Sequence, residues 1–336
     1  MPSILIIGEA LVDCFADARV AGGAPFNVAR NLAAFNLNPI MITRIGVDDN
    51  SKILLDEFDR FGLSMAGLQR DAVLPTGHVD VHFDAQSHRF DIAENAAWDA
   101  LSTNLALDVT VQCQPKIICF GTLAQRAPQS QHAIAGVLDL VKTLGAVRVL
   151  DLNLRANLAD LATVDFSLRH ADVVKVNDIE LAQLLSWFVP NYTKNNAAPR
   201  SPTYRDAIKN LLRQYPLQQL IVTCGAEGYD VYGRNGVLTE SGTPPKTTVV
   251  DTVGAGDAFT SIVILGLVQR WPASLTFKRA SYFAAAVCGL RGAVAADLNF
   301  YQQWATQWQL RQPRQPQPTP QPQPTSATTP ILQHQH

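Results

Sequence analysis

The sequence predicts an α/β fold in which a mostly parallel central sheet carries helices on both faces. Short apolar runs alternate with helical patterns along most of the 336-residue chain. Alternation of this kind requires crossover connections, which build parallel sheets that are covered on both faces. Hydrophobic residues make up 47% of the chain and charged residues 17%, so a large core can be buried. Sheets of this class bind ligands at the carboxyl ends of their strands.

Six apolar runs predict the buried strands of this sheet: Ile4–Ile7, Pro39–Gly46, Lys116–Gly121, Val147–Asn153, Asp172–Asn177 and Leu220–Gly225. Their short length and continuous apolar character are typical of strands that are buried on both faces. Helical patterns fall between them, over Pro25–Phe35, Ser130–Gly145 and Asp178–Trp187. The order of these elements favours parallel strands that are joined by helices.

Three regions depart from this alternation. Thr76–Asn95 alternates polar and apolar residues with period two, which predicts a hairpin with one wet face that lies off the main sheet. Val189–Tyr204 is rich in proline and asparagine and predicts a surface insertion. Residues 311–336 are rich in Pro, Gln and Thr and cannot bury apolar area. We therefore expect one domain over residues 1–310 and a disordered Pro/Gln-rich tail over residues 311–336.

The composition argues against several classes of function. The formal net charge is -2 and the sequence shows no basic patch, so we expect no nucleic-acid partner. We find no apolar run of about 18 residues and no basic start before a signal sequence, so we expect no membrane association. The five cysteines are scattered without a CxxC pair. They predict buried thiols in a reducing cytoplasm and neither a disulfide frame nor a zinc site.

A glycine turn gives the first chemical signal. A strand-like run ends at Val249–Val250, the turn Gly254–Gly256 follows, and Ala258–Val268 has a helical pattern. Backbone N–H groups at a helix N-terminus lack intrahelical partners and attract phosphate, and glycine lets a ligand approach closely. Asp257, in the first turn, would then be placed to accept a proton from an attacking hydroxyl. The plainer alternative is a glycine turn in which Asp257 caps the helix.

Two stretches of the chain resemble the paired signatures of one family. "DTVGAGDAF" (Asp251–Phe259) resembles the second signature of the ribokinase-like (PfkB) carbohydrate kinases, and "GGAPFNVARNLAAFN" (Gly22–Asn36) resembles the first. The fragments "GEALVD", "FGTLAQR", "DLNLR" and "KVNDIEL" follow the pattern of the fructokinase branch. The resemblance implies a ribokinase-like three-layer fold with a small β lid, built from residues near 13–22 and 76–95.

The resemblance also implies an activity, namely ATP-dependent phosphorylation of the primary hydroxyl of a sugar. D-fructose, giving fructose 6-phosphate, is the expected substrate, with ATP and Mg²⁺ as cofactors. Asp257 would take the hydroxyl proton as general base. The charge that develops on the γ-phosphoryl group would be held by the backbone N–H groups of the turn, contributed by Gly254, Ala255, Gly256 and Asp257.

Sugar contacts are implied at five residues: Asp13, Gly22, Gly23, Asn27 and Arg155. A carboxylate such as Asp13 accepts from two neighbouring hydroxyls, and the Asn27 amide both donates and accepts. Arg155 can form two parallel hydrogen bonds to phosphate or carboxylate oxygens. The plainer alternatives are a solvated loop aspartate, a turn with a helix cap, and a surface ion pair. Ribokinases carry a lysine in place of Ala24, so "GGAP" favours a fructokinase-like pocket.

Nucleotide contacts are implied in two further motifs. Asn177 and Glu180 match the NxxE motif that organises magnesium, water and phosphates in the family, although NxxE also matches a helix capping pattern. Thr223, Gly225 and Gly228 lie in "TCGAEG", at the end of a predicted strand, and would pass close to ATP. Relatives often bind a monovalent cation such as K⁺ around an aspartate at the position of Asp251.

The lid region departs from the family pattern. Only eight residues, "CFADARVA", separate Asp13 from Gly22. Many relatives carry a longer β excursion there, so Thr76–Asn95 is expected to supply most of the lid. A complete lid matters because water in the site would permit wasteful hydrolysis of ATP. A homodimer paired through the lid, as in ribokinase-like dimers, is a further expectation.

Three competing functions remain open from the sequence. A kinase of the same fold could act on another substrate, such as a nucleoside or 2-keto-3-deoxygluconate, whose carboxylate would want a second cation from Arg89 or Arg126. A non-catalytic sugar- or nucleotide-binding relative would be expected to lack the base or the glycines, which are present here. A dehydrogenase is disfavoured because the first predicted strand is not followed by GxGxxG.

Overall fold

The computed structural model describes residues 3–84, 87–155, 158–193 and 200–310. Within them the strands are β1 Ile4–Ile7, β2 Leu11–Cys14, β3 Arg19–Gly22, β4 Ile40–Ile45, β5 Leu68–Arg70, β6 His78–Asp84, β7 Ser87–Ile92, β8 Ile117–Phe120, β9 Val147–Asp151, β10 Val173–Asn177, β11 Gln219–Thr223, β12 Tyr229–Gly233 and β13 Leu238–Gly242. The helices are α1 Ala24–Ala34, α2 Asp49–Arg60, α3 Thr103–Cys113, α4 Pro128–Thr143, α5 Leu161–His170, α6 Asp178–Phe188, α7 Pro202–Gln214, α8 Ala255–Gln269, α9 Ala273–Val287 and α10 Asn299–Gln307.

Nine strands form the central sheet, in the order β13-β12-β11-β10-β9-β8-β1-β4-β5. Every neighbouring pair from β11 to β5 is parallel, and β12 and β13 add an antiparallel edge. All six strands predicted from apolar runs are present in this sheet, so that prediction is confirmed. Parallel pairing places the ends of β1, β9, β10 and β11 along one edge, where ligands of such sheets bind.

Two apolar clusters cover the two faces of the sheet. Leu5 and Ile7 belong to the cluster that α4, α5, α6 and α7 complete, whereas Ile4 and Ile6 belong to the cluster completed by α1, α2, α8 and α9. Successive strand residues point to opposite faces, and all four side chains are at most 2% exposed. This is why the strand appears as a continuous apolar run, and it confirms the predicted arrangement of helices on both faces.

A second sheet of four strands, in the order β3-β2-β6-β7, lies apart from the central one. The predicted hairpin forms its β6 and β7, which confirms a position off the main sheet. The short link between Asp13 and Gly22 forms a hairpin, because β2 pairs antiparallel with β3. Strand β2 also pairs parallel with β6, which joins this hairpin to the β6–β7 hairpin. The small sheet therefore draws on both predicted segments, and Leu11, Val79 and Val81 form its apolar contact.

Two sequence expectations need correction. Val249 and Val250 belong to no strand and are each 61% exposed, because the chain after β13 runs through Pro244 and Pro245, which have no N–H to pair. The predicted surface insertion ends early, since α7 begins at Pro202 and Tyr204 is only 8% exposed. The predicted tail, residues 311–336, lies outside the described residues, as do residues 194–199 of the insertion.

The five cysteines are free thiols. Cys119 is buried, whereas Cys14, Cys113, Cys224 and Cys288 are partly exposed, so the prediction of buried thiols is correct for one of the five. Among the described residues, we find no helix that combines the length and the apolar character needed to cross a membrane.

Candidate active site

A cavity of about 960 Å³ opens at the carboxyl ends of the central strands, between the two sheets. Thirteen of the residues singled out in the sequence line it: Asp13, Gly23, Asn27, Arg155, Asn177, Glu180, Thr223, Gly225, Gly228, Gly254, Ala255, Gly256 and Asp257. Leu11, Val79 and Ile92 reach the same cavity from the small sheet. The fold therefore brings both family signatures and the two nucleotide motifs to one place.

The glycine turn forms the N-terminus of α8. Gly254 is the N-cap residue in the left-handed region (φ 77°), and a side chain there would collide with Ala293. The Ala255 N–H donates to Thr252 O at 3.3 Å, and the Ala258 N–H donates to Gly254 O at 2.8 Å. The N–H groups between them, in the first helical turn, lack intrahelical acceptors and lie at the cavity. This geometry is suited to an anionic ligand.

A buried cation lies directly beneath this turn. The Lys175 Nζ atom is 2.9 Å and 3.2 Å from the two carboxylate oxygens of Asp151, and Thr260 Oγ1 donates to Asp151 at 2.7 Å. A Cβ atom added to Gly256 would lie 2.6 Å from Lys175 Nζ. Burial alone would lower the pKa of Lys175, but the Asp151, Glu180 and Asp257 carboxylates outweigh it and raise that pKa. The second glycine of the turn thus leaves room for an ammonium group.

Asp257 lies in the cavity wall and does not cap its helix, since α8 has no side-chain cap. Its Oδ2 accepts from Asn27 Nδ2 at 2.6 Å, which joins the two signature segments directly. Burial raises the pKa of Asp257 to about 6, and the negative charge of Asp151 adds to that effect. The Asn27 hydrogen bond and the cations Lys175 and Arg155 oppose it. The carboxylate is therefore largely ionised at neutral pH and free to accept a proton.

The proposed sugar residues divide into those in the cavity wall and those behind it. Burial raises the pKa of Asp13 to about 6, against the positive charges of Arg155 and Arg30. Gly22 is not in the wall: a Cβ there would collide with Asp13 Oδ2, so this glycine makes room for the aspartate. Gly23 (φ 101°) is the N-cap of α1, and a Cβ there would lie 2.7 Å from Glu9 O.

Glu9 is a buried carboxyl group in the cavity wall that the sequence analysis did not single out. It is 2% exposed, and within the described residues its Oε2 has no hydrogen-bond partner. Burial raises the pKa of Glu9 to about 7, with Arg155 opposing and Asp257 adding to the rise. Its position directly after the first apolar strand, at the carboxyl end of the sheet, was the available signal.

Asn177 and Glu180 form a complete capping box at the start of α6. Asn177 Oδ1 accepts from the Glu180 N–H at 2.8 Å, and Glu180 Oε2 accepts from the Asn177 N–H at 2.7 Å. Glu180 Oε1 accepts from the Leu154 N–H at 2.8 Å. The structural alternative named for this motif is therefore realised, and both side chains also line the cavity. Each carboxylate oxygen keeps a second lone pair that can accept from water.

The remaining nucleotide and cation residues differ in their positions. Thr223 ends β11 in the cavity wall, and Gly228 (φ 96°) approaches Gly242 so closely that a side chain would collide with it. Asp251 is absent from the wall of the cavity. Its two oxygens accept from the backbone N–H groups of Val253 at 2.9 Å and Gly292 at 3.0 Å, which ties two loops together.

Of the two additional cations named for a carboxylate substrate, the structure describes the side chain of Arg126. Arg126 forms an ion pair with Asp99 at 2.7 Å and stacks on Trp98 at 4.0 Å, away from the cavity wall. The side chain of Arg89 lies outside the described part of the structure. In the same described residues, no group of three or more His, Cys, Asp or Glu side chains could hold a metal ion.

The structure thus combines a helix N-terminus, a buried carboxylate and other polar side chains around one cavity of an α/β fold. The model of the pfkB family carbohydrate kinases matches residues 3–299, and the chain belongs to this family. Fructokinase-1 of Oryza sativa subsp. japonica is 27% identical over 299 residues, which are 87% of each chain.

Two solved structures show the same fold. The fructokinase of Xylella fastidiosa with bound ATP superimposes with a TM-score of 0.77 at 24% identity, covering 91% of this chain and 99% of that one. A 2-dehydro-3-deoxygluconokinase from Thermotoga maritima superimposes with a TM-score of 0.76 at 16% identity, covering 91% and 100%. These similarities confirm the predicted ribokinase-like fold.

Proposed function

We propose that this kinase transfers the γ-phosphoryl group of ATP to the primary hydroxyl of D-fructose and releases fructose 6-phosphate. The observation that carries the proposal is the Asp257 carboxylate, held in the cavity beside the unpaired N–H groups at the start of α8. Phosphoryl transfer needs a proton acceptor next to donors that meet the developing charge, and the first turn of α8 supplies both. The fructokinases among the similar proteins support the choice of sugar.

In the proposed mechanism Asp257 Oδ1 accepts the proton of the sugar hydroxyl while Oδ2 stays bonded to Asn27. The hydroxyl oxygen attacks the γ-phosphorus, and the bond to the bridging oxygen of ADP breaks. Backbone N–H groups of Gly254, Ala255, Gly256 and Asp257 stabilise the charge on the transferred group. The Lys175 ammonium group lies under the same turn, where it neutralises the buried Asp151 carboxylate that would otherwise repel phosphate.

Other residues of the cavity wall orient the two substrates. Asp13, Gly23, Asn27 and Arg155 are assigned to the sugar, with Gly22 making room for Asp13. Thr223, Gly225 and Gly228 are assigned to ATP. Mg²⁺ neutralises phosphate charge when it is bound, and water held by Asn177 and Glu180 fits such an ion, which prefers phosphate and water ligands.

Four further expectations belong to the same proposal. The four-stranded sheet serves as the lid over the cavity, and two chains pair through it as a homodimer. Asp251 organises a K⁺ site, although both of its oxygens already accept backbone hydrogen bonds. The cytoplasm is the proposed location, in keeping with five free cysteines.

The Arg126 ion pair bears on the main competitor. A 2-keto-3-deoxygluconate carboxylate would want a second cation in the cavity, and Arg126 is instead bound to Asp99. Arg126 is therefore not the second cation, although Lys246 lines the same cavity, so the choice of fructose rests on the similar proteins. The presence of Asp257, Gly254 and Gly256 disfavours a non-catalytic sugar- or nucleotide-binding relative.

The test has two parts. ADP release is measured with ribose, D-fructose, adenosine and 2-keto-3-deoxygluconate. The rate of ADP release is expected to be highest with fructose. Activity with the keto acid but not with fructose would show that fructose is the wrong substrate. Asp257→Ala is then expected to lower kcat at saturating sugar by about 10² or more. Asp160→Ala is the matched control, because Asp160 does cap a helix, accepting from the Thr163 N–H at 2.7 Å. If Asp257→Ala turned over within a few-fold of the wild-type rate, the assignment of Asp257 as the general base would be wrong.

A further inference from the structure

A buried arginine connects the two signature segments of the chain. Arg30, on α1, is 4% exposed. Its Nη1 donates to Glu57 Oε2 at 2.6 Å, and its Nη2 donates to Ala21 O at 2.9 Å and to Asn27 Oδ1 at 2.5 Å. Asn27 in turn donates from Nδ2 to Asp257 Oδ2 at 2.6 Å. One hydrogen-bonded series therefore runs from α2 through α1 to the start of α8.

The chemistry of the donors fixes the direction of this series. A guanidinium group only donates, so the atom of Asn27 that faces Arg30 must be the carbonyl oxygen. The amino end of Asn27 therefore faces Asp257, where it also can only donate. The two ends of an asparagine amide have nearly the same shape, so shape alone does not select one orientation. Arg30 selects the end of Asn27 that meets Asp257.

We propose that Arg30 is a positioning residue for phosphoryl transfer: it holds the Asn27 amide in the orientation that keeps Asp257 ionised and its Oδ1 directed at the substrate. The inference rests on the proposed function, in which Asp257 is the base. A hydrogen bond donated to a carboxylate favours its charged form. A reversed Asn27 would present a carbonyl oxygen to Asp257, and that arrangement favours the protonated form.

Other charged groups near these residues guide the choice of measurement. Asp257 faces four of them: Asp151, Glu9, Lys175 and Arg155. Arg30 faces Glu57, Arg60 and Tyr301, and its positive charge also lowers the pKa of Asp13. The pH dependence of kcat/KM for the sugar would also include the ionisation of Asp13 in the free enzyme. The value of kcat at saturating sugar reports the bound complex and avoids that contribution.

The test is the pH profile of kcat for Arg30→Met with saturating MgATP and D-fructose, or with the panel compound that wild-type enzyme phosphorylates fastest. Burial raises the pKa of Asp257 to about 6 in the ligand-free protein, and a wild-type acid limb near this pH is taken as the reference for the change in the variant. Loss of an oriented donor to a carboxylate shifts the limb upward by about one pH unit. The ratio of kcat at pH 8 to kcat at pH 6 should then rise from about 2 to about 10. Arg30→Lys keeps a donor-only cation but replaces the planar guanidinium group that reaches Glu57, Ala21 and Asn27 at once, so it should shift the limb in the same direction by less. It serves if Arg30→Met does not fold.

Arg148→Met is the matched control. Arg148 is 7% exposed, pairs with Asp172 at 2.7 Å, and lies toward the amino end of β9, away from the cavity wall. Its loss should lower stability without moving the acid limb. In an Asn27→Ala background, Arg30→Met should move the limb no further, because the residue through which it acts is gone.

Several results would overturn the proposal: an unmoved limb in both Arg30 variants, an equal shift in Arg148→Met, or an undiminished shift when Asn27 is already alanine. A failure of Asp257 as base is distinguishable from these. It would appear as near-wild-type turnover in Asp257→Ala, whatever the Arg30 variants do.

Discussion

Replacing Lys175 with methionine removes the cation beneath the glycine turn and leaves the Asp151 carboxylate buried without its ionic partner. Lys175 is 7% exposed and Asp151 is 3% exposed. The methionine side chain has nearly the length of the lysine stem, so the substitution mainly removes charge. Thr260 continues to donate to Asp151, but a single hydroxyl does not neutralise a buried carboxylate.

The expected loss of stability is large. At the observed 2.9 Å separation, the attraction between the two charges is roughly 6 kcal/mol at an effective dielectric constant of about 20. Removing one partner of a buried ion pair typically costs about 3–5 kcal/mol, because the remaining charge stays desolvated. Folded domains are stable by only about 5–15 kcal/mol. At about 2 °C for each kcal/mol in a domain of this size, the melting temperature should fall by roughly 6–10 °C.

Urea unfolding of four proteins measures this effect: wild type, Lys175→Met, Asp151→Asn and the double variant. The double variant should be more stable than the sum of the single losses predicts, by about 2 kcal/mol or more, because it leaves no uncompensated charge. Midpoints are compared at equal m-values, so that the differences report stability alone. A loss below about 1 kcal/mol in Lys175→Met, or strictly additive losses, would refute the reasoning.

Two further predictions concern the site itself. The value of kcat/KM for the sugar should fall as the pH falls through about 6, because burial raises the pKa of both Asp257 and Asp13 to about 6 and both must be ionised. A limb centred near pH 7 would instead point to Glu9, whose pKa burial raises to about 7. Gly254→Ala should lower the free energy of unfolding by about 1–2 kcal/mol, because alanine must adopt the left-handed backbone conformation of Gly254. The added Cβ atom would also collide with Ala293 and displace the turn, which should lower kcat by about tenfold or more. Gly62→Ala is the control, since Gly62 has φ 62° and open space around it; equal loss of kcat in both would contradict the prediction.

The central strands could be predicted from the sequence because burial on both faces removes polar residues from them. Leu5 and Ile6 face opposite apolar clusters, so no alternation interrupts the run. The same reasoning failed at Val249 and Val250, where an apolar pair is exposed after two prolines that cannot join a ladder. Two consecutive valines do not reveal whether a neighbouring strand is present to form hydrogen bonds with them.

The site was predicted where residue type and spacing matched a known pattern, as at Asp257 and Asn27. Lys175 was missed because a lysine inside an apolar strand signals burial only if its partner is known, and Asp151 lies on the neighbouring strand. Gly22 was assigned to the sugar because a sequence does not distinguish a glycine that contacts ligand from one that makes room for a side chain. Arg30 donates to Asn27 on the same helix, to the Ala21 carbonyl and to Glu57 on α2, and this set of acceptors matches no known sequence pattern.

The hydrogen bond between Asn27 and Asp257 spans 230 positions of the chain. During synthesis, a growing polypeptide completes α1 and most of the central sheet long before Asp257 leaves the ribosome. Contacts of such long range are also typical of slow folding, because each requires the closure of a long loop. A chain that ends before Asp257 lacks the proton acceptor of the proposed function. It also lacks Phe259 and Ile262 of α8, which belong to one of the two apolar clusters, so the proposed base and the completion of that cluster arrive in the same stretch of sequence.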